Sequence, residues 1–181
     1  MRTSHSSESQ YEKRARGEAF QNEIKASWRL IPDCWRMRIS DDCGSRPADE
    51  IVLLSEDRLL NELKRKADGM LCISDLRTNQ LGGLIDFMHA GGNNFGMVLV
   101  SFVDDTYYTA YAIAISTFLN LCERKNRMYL SIKEISDAVY EGLAVEIPRL
   151  ASCQEKEKFL VDVYDLRPLV KFIEGREWLR R

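Results

Sequence analysis

The chain has 181 residues, a formal net charge of −2 and a hydrophobic fraction of 45%. This length is sufficient for one domain with a buried core, and no apolar run approaches the roughly 20 residues that a membrane helix needs. Residues 1–10 are polar and lack the hydrophobic stretch of a secretory signal. We therefore expect a soluble, intracellular protein with no membrane contact, a disordered leader at 1–11 and a single domain at 12–181.

Two classes of cofactor site are not expected. The five cysteines form no CxxC pair and there are only two histidines, so the usual zinc-ligand spacing is missing. The sequence also contains no P-loop and no GxGxxG motif, so a nucleotide cofactor is not expected.

Hydrophobic periodicity predicts an α/β fold. Helical spacing predicts a first helix at about 12–30, which Pro32 ends. Alternating and apolar runs predict three strands at 35–39, 51–54 and 59–65, the last two joined by a tight turn. The later predictions are a helix at about 74–90, strands at 95–103 and 107–115, helices at 116–125 and 131–142, a strand at 145–147 and a helix at 165–178. This order of elements is typical of one α/β domain.

One stretch of the predicted strands carries unusual charge. Asp49 is followed, after twelve intervening residues, by Glu62-Leu63-Lys64. Alternate residues of a strand share a face, so Glu62 and Lys64 point the same way. If the two strands pair through the turn between them, Asp49 approaches both side chains. Buried charges are costly unless they are paired or bind metal. We therefore predict that Asp49, Glu62 and Lys64 converge on one divalent ion at the edge of a sheet.

These residue types suit phosphodiester hydrolysis. Asp49, Glu62 and the carbonyl of Leu63 offer the hard oxygen ligands that Mg²⁺ prefers. Lys64 would orient or deprotonate the attacking water, or stabilise the charge of the transition state. The spacing alone is also compatible with an exposed ion pair on an edge strand, so this alternative stays open.

The ordered motifs resemble the RecU-like Holliday junction resolvases of the PD-(D/E)xK nuclease superfamily. Pro47-Ala48-Asp49 and Asn61-Glu62-Leu63-Lys64 resemble the superfamily signature, and the segment 77–84 resembles the helix that carries a glutamine beside the active site. Residues 16–27 resemble the first helix of the family. The resemblance covers about residues 14–175.

This resemblance implies a restriction-endonuclease-like fold, in which a mixed sheet is flanked by helices. It implies a homodimer, in a bacterial cell or a phage-infected host, that binds four-way DNA junctions and nicks two strands with Mg²⁺ or Mn²⁺. Carried over by position, Asp49 and Glu62 would be metal ligands, Lys64 the catalytic lysine and Gln80 a residue that supports the site.

The sequence departs from the family in two places. Gln21 stands where the first helix of the family usually carries a glutamate. Glu18 is the better placed substitute as a metal ligand, and Glu23 the less well placed one. The 41–46 loop is shorter than the projection that enters the junction centre in the family, so junction selectivity would be weaker or built differently.

Basic residues would contact DNA phosphates, which position a duplex without reading its sequence. The candidates are Arg14, Arg16, Lys25, Arg36, Arg38, Arg46, Lys66 and Arg77. Two alternative functions remain open. One is an endonuclease of the same fold that acts on other DNA structures. The other is a protein that binds DNA or a partner without cleaving, and Gln21 favours this second alternative.

Overall fold

The computed structural model describes residues 9–40, 45–103, 108–155 and 159–175. Within these ranges, no helix combines the length and the apolar character needed to cross a bilayer. The helices are α1 (Gln10–Trp28), α2 (Thr78–His89), α3 (Ile115–Arg124), α4 (Ile132–Tyr140) and α5 (Arg167–Glu174). The strands are β1 (Trp35–Arg38), β2 (Glu50–Leu53), β3 (Arg58–Lys66), β4 (Met70–Cys72), β5 (Asn94–Val103), β6 (Tyr108–Ala114), β7 (Tyr129–Ser131), β8 (Ala144–Ile147), β9 (Arg149–Glu155) and β10 (Phe159–Tyr164).

Six strands form the central sheet in the order β1-β2-β3-β5-β6-β8. β3 and β5 pair in parallel, and the other neighbours pair antiparallel. The predicted α/β class with a mixed sheet is therefore confirmed. Helices lie against both faces of this sheet, as predicted.

A hydrophobic core lies on each side of this sheet. On one side, Phe20, Ile24 and Trp28 of α1 pack with strand residues such as Leu59 and Leu99. On the other side, apolar residues of α2, α3 and α4 pack with a second set of strand residues. Strand residues of alternating parity serve the two cores, as the two-residue period of a strand requires. The central strands are therefore buried on both faces.

Most predicted elements are present, with shifted ends. α1 begins at Gln10, inside the leader that was predicted to extend to residue 11, and residues 1–8 lie outside the described part of the chain. The helix predicted at 131–142 is present as α4, and a capping box starts it: Ser131 and Glu134 bind each other's backbone amides. The residues that join the predicted strands 95–103 and 107–115, and the end of the helix predicted at 165–178, lie outside the described residues.

The predicted start of α2 was wrong by several residues. Ile73–Asp75 forms a separate 3-10 turn, and α2 begins at Thr78 with Arg77 as its N-cap. Asp75 accepts hydrogen bonds from the backbone amide of Cys72 at 2.7 Å and from Lys66 Nζ at 2.7 Å. Its carboxylate therefore fixes the turn rather than the helix. Two small sheets were also missed, β4 with β7 and β9 with β10.

Two glycines bring α2 close to the rest of the domain. A Cβ at Gly83 would lie 2.5 Å from Pro47 Cβ and 2.9 Å from Pro47 Cα. A Cβ at Gly96 of β5 would lie 2.4 Å from the carbonyl oxygen of Leu84. Since real Cβ contacts are not this short, only glycine permits α2 to pack directly on the segment that leads into Asp49.

We expect Gly83→Ala to destabilise the protein by about 1–3 kcal/mol, because the added methyl group overlaps the Pro47 backbone. Gly82→Ala is the matched control, since a Cβ at Gly82 meets nothing within 4 Å. Alanine is the better helix former, so this control should be neutral or more stable by up to about 1 kcal/mol. Urea denaturation measures both variants, and equal stabilities would contradict the packing argument.

Candidate active site

β3 presents chemically different residues on its two faces. Asn61, Leu63 and Arg65 face α1, whereas Leu60, Glu62 and Lys64 face α2. β3 lies between β2 and β5, and Glu62 is only 1% exposed. The site therefore lies within the sheet, and the prediction that it lies at the edge of the sheet is wrong. This burial also rules out the exposed ion pair on an edge strand.

Asp49 is held firmly beside β3. Its amide donates to the carbonyl of Asn61 at 3.0 Å, and its carbonyl accepts from the amide of Ile39 at 2.9 Å. The carboxylate accepts the Leu63 amide on Oδ2 at 2.8 Å. Oδ1 accepts Gln21 Nε2 at 3.1 Å and lies 2.7 Å from Arg46 Nη2. Both carboxylate oxygens are therefore hydrogen-bonded.

Glu62 is satisfied on one oxygen only. Oε1 lies 2.7 Å from Lys64 Nζ and accepts Gln80 Nε2 at 2.7 Å. Oε2 is buried and has no hydrogen-bond partner. An unsatisfied buried acceptor costs about 1–3 kcal/mol, so this oxygen marks a place where a ligand could be bound.

Gln80 connects α2 to the carboxylate. It occupies the third position of the helix, and its Oε1 accepts the backbone amide of Arg77 at 2.9 Å. The same oxygen lies 3.5 Å from Lys64 Nζ. With its oxygen committed to these donors, the amide nitrogen is left to donate to Glu62. Gln80 thereby orients Glu62, and α2 begins beside the site.

Burial dominates the electrostatics of both carboxyl groups. Burial first, and the charge of Asp49 second, raise the pKa of Glu62 to about 7, against the opposing effect of Lys64 and Arg46. Burial also raises the pKa of Asp49, although the Leu63 amide, Arg46, Lys64 and Arg38 favour its charged form. Two carboxyl groups that each disfavour the other's ionisation are suited to a nearby cation.

The donor set fits a divalent cation in part. The open Oε2 of Glu62 and the carboxylate of Asp49 are hard oxygen ligands. Among the residues that the structure describes, however, no cluster of three or more His, Cys, Asp or Glu side chains is placed to hold a metal. A cation here would rely on two carboxylates completed by water, and on the Leu63 carbonyl if its predicted role holds.

The structure corrects the predicted contribution of α1. The side chain of Glu18 is 56% exposed and pairs with Arg14, so it does not reach Asp49. Glu23 is bound by Arg65, whose guanidinium also lies 4.9 Å from the centre of the Phe20 ring on the α1 face. The residue of α1 that contacts Asp49 is Gln21. Neither glutamate therefore replaces the missing carboxylate.

The predicted phosphate-binding residues fall into two groups. Arg14, Arg36, Arg46 and Lys66 are engaged in ion pairs, with Glu18, Glu50, Asp49 and the pair Asp68 and Asp75 respectively. Arg38 and Arg77 are exposed near the site, Lys25 is exposed beside a small cavity on α1, and Arg16 is half-buried. Arg36, which is bound to a fully buried carboxylate, is the candidate least free to contact a phosphate.

Sequence reasoning missed Glu50. This fully buried carboxylate accepts Trp28 Nε1 at 2.9 Å, Arg36 Nε at 2.6 Å and Asn61 Nδ2 at 3.0 Å. The three donors come from α1, β1 and β3. A charged residue at the start of an apolar strand was the available signal, but its partners are far apart in sequence.

Comparisons with known proteins do not assign the chain to a family. No protein-family model matches, and no curated protein matches. Among solved structures, the chain is similar to Hjc, a Holliday junction resolvase from Archaeoglobus fulgidus. The two share 14% identity and a TM-score of 0.43, over 56% of this chain and 79% of that chain.

The raised pKa of Glu62 predicts a pH-dependent stability. The folded carboxyl keeps its proton up to about pH 7, whereas the unfolded one releases it near 4.5. The folded state binds more protons in this window, so the free energy of unfolding falls as the pH rises through it. Between about pH 5 and 8, the free energy of unfolding of the wild-type protein should fall by about 1–3 kcal/mol relative to that of Glu62→Gln.

Urea denaturation in EDTA at a series of pH values measures this difference. The Glu62→Gln variant is the reference for the wild-type protein, because it retains all the other titrating groups of the chain. Parallel pH profiles for the two proteins would show that Glu62 ionises normally and is not destabilised by its surroundings.

Proposed function

We propose that this protein is a metal-dependent DNA endonuclease that acts on four-way junctions as a homodimer. The observation that carries the proposal is the buried cluster of Asp49, Glu62, Lys64 and Gln80, with one carboxylate oxygen left open. Natural domains rarely bury two carboxylates with an unsatisfied oxygen unless a ligand compensates. The choice of four-way junctions comes from the sequence resemblance, and the homodimer from the two-fold symmetry that paired incision requires.

Each residue has a distinct part in the proposed reaction. Asp49 and Glu62 would hold Mg²⁺ or Mn²⁺, and the chemistry that such an ion supplies is charge neutralisation at the phosphate and activation of water. Lys64, 2.7 Å from Glu62, is placed to hold a water by hydrogen bonding and to offset charge that develops on the phosphate. Gln80 is a positioning residue, because it fixes the rotamer of Glu62.

A cleavage-deficient DNA-binding protein is the second candidate. Gln21 and Arg46 donate to the Asp49 oxygen that a cation would otherwise use. The charge of Arg46 offsets that of Asp49 without metal, and Gln21 adds a neutral hydrogen bond. If they stay in place, the site would bind DNA but not activate water. An endonuclease of the same fold that acts on other branched or duplex DNA is distinguished by the same cleavage assay.

Lys64→Ala and Asp49→Ala should each lower cleavage of a labelled four-way junction by about 100-fold or more. The first substitution removes the group that holds the water and offsets charge on the phosphate, and the second removes a metal ligand. Binding of the same junction in EDTA should survive. Cleavage is measured with Mg²⁺, Mn²⁺ or EDTA on junction, flap and plain duplex. Symmetric nicks in the junction are expected in either metal.

Lys133→Ala is the matched control, since Lys133 is an exposed lysine of α4. It should cleave like the wild-type protein. Equal cutting of plain duplex would transfer the proposal to another DNA substrate. Binding without cutting in every metal would identify the second candidate as the function, and sedimentation of the protein tests the homodimer.

Arg38→Ala and Arg77→Ala should weaken junction binding, because exposed arginines near the site neutralise phosphates and release counterions. A plot of log affinity against log salt concentration has a negative slope, and each substitution should reduce the magnitude of that slope by about one. Fluorescence anisotropy in EDTA at several salt concentrations measures the slope. A slope that equals the wild-type value would remove the residue from the DNA interface.

A further inference from the structure

The ion-free site is electrically balanced by its own side chains. When both carboxyl groups are ionised, Asp49 and Glu62 contribute two negative charges, and Arg46 and Lys64 contribute two positive charges within ion-pair distance. The pairs are mostly buried: the side chains of Arg46 and Lys64 are 13% and 19% exposed. A divalent cation added to this cluster would leave a net charge of two in a poorly solvated place, which is costly.

Of these two basic side chains, Arg46 is the one that occupies a carboxylate oxygen of Asp49 that a metal ion would need. Its Nη2 lies 2.7 Å from Asp49 Oδ1, an oxygen that also accepts Gln21. Lys64 binds Oε1 of Glu62 and leaves Oε2 open. A cation held by Asp49 and Glu62 would find Oε2 of Glu62 open, but would compete with Arg46 for Asp49.

The geometry of Arg46 suits a side chain that changes partner. Its backbone is anchored to α2, because Asn79 Nδ2 donates to the Arg46 carbonyl at 2.5 Å. A transfer of the guanidinium to another partner would therefore leave the backbone of Arg46 and its contact with α2 in place. Guanidinium groups bind phosphate oxygens in a two-pronged geometry that matches their carboxylate contacts.

We propose that Arg46 occupies the place of the metal on Asp49 in the ion-free protein, and that it transfers to a DNA phosphate when a divalent cation binds. The phosphate supplies negative charge that the added cation requires, and Arg46 becomes a positioning residue for DNA. Metal and DNA then assist each other's binding. This inference rests on the divalent-cation site of the proposed function, but not on cleavage.

The first test is Mn²⁺ binding without DNA, followed by the electron paramagnetic resonance signal of free Mn²⁺. Arg46→Ala should bind Mn²⁺ about tenfold or more tightly than the wild-type protein, because the competing cation is gone. Its melting temperature in EDTA should fall, and should rise more on Mn²⁺ addition than that of the wild type. Arg46→Gln provides a second variant of similar length if the alanine variant folds poorly.

Arg38→Ala is the control for charge alone. Arg38 is exposed and acts on Asp49 through its field, without an ion pair to it. Loss of this charge should change Mn²⁺ affinity by less than about twofold, since exposed charges are screened. Equal Mn²⁺ affinities for the wild type, Arg46→Ala and Arg46→Gln would overturn the proposal.

The second test measures the coupling between metal and DNA in the Lys64→Ala background, in which cleavage is not expected. Mn²⁺ should raise junction affinity in this background by about fivefold or more. The double variant Arg46→Ala/Lys64→Ala should lose that gain, because no guanidinium is released to the phosphate. An undiminished gain in the double variant would overturn the transfer of Arg46.

The outcomes separate this inference from the proposed function. Tighter Mn²⁺ binding by Arg46→Ala without any junction cleavage by the wild type would support Arg46 and refute the endonuclease. Cleavage by the wild type with unchanged Mn²⁺ affinity in both Arg46 variants would do the opposite. Absence of Mn²⁺ binding in every variant would refute both.

Discussion

The burial of two carboxylates beside one another in a central sheet is the constraint on which the rest of this structure depends. Asp49 and Glu62 each raise the free energy of the other's ionised form, and water is too scarce there to offset it. Five donors from four parts of the chain converge on the pair in response. The arrangement of the site therefore places these donors where they offset the buried negative charge of Asp49 and Glu62.

The surrounding fold holds the two carboxylates and their hydrogen-bond donors in place. Gly83 lets α2 approach Pro47, and Gln80 at the start of that helix then reaches Glu62. The backbone of Asp49 joins Ile39, the residue after β1, to Asn61 of β3 through two hydrogen bonds. Because these contacts are made by backbone and by buried side chains, the two carboxylates keep their separation without a bound ion.

The sequence allowed the carboxylate cluster to be predicted, but not its neutralisation. Strand alternation is local, so the shared face of Glu62 and Lys64 followed from spacing alone. The contacts of Gln21 and Arg46 with Asp49 depend on how α1 and the preceding loop pack, which no short pattern encodes. Glu18 was favoured as a ligand from its helical position, yet Arg14 on the same helix already pairs with it. The three-residue strands β4 and β7 were too short to show a period.

The Glu50 network has a consequence for how the strands find each other. Glu50 pairs with Asn61 on one side and with Arg38 on the other, and its carboxylate is bound by the charge of Arg36 and by the neutral donors of Trp28 and Asn61. Slippage of β2 by one residue would separate the carboxylate from these donors and leave it without hydrogen-bond partners in an apolar core. The buried Glu50 therefore favours a single register between β2 and β3. In that register the adjacent Asp49 lies opposite Glu62.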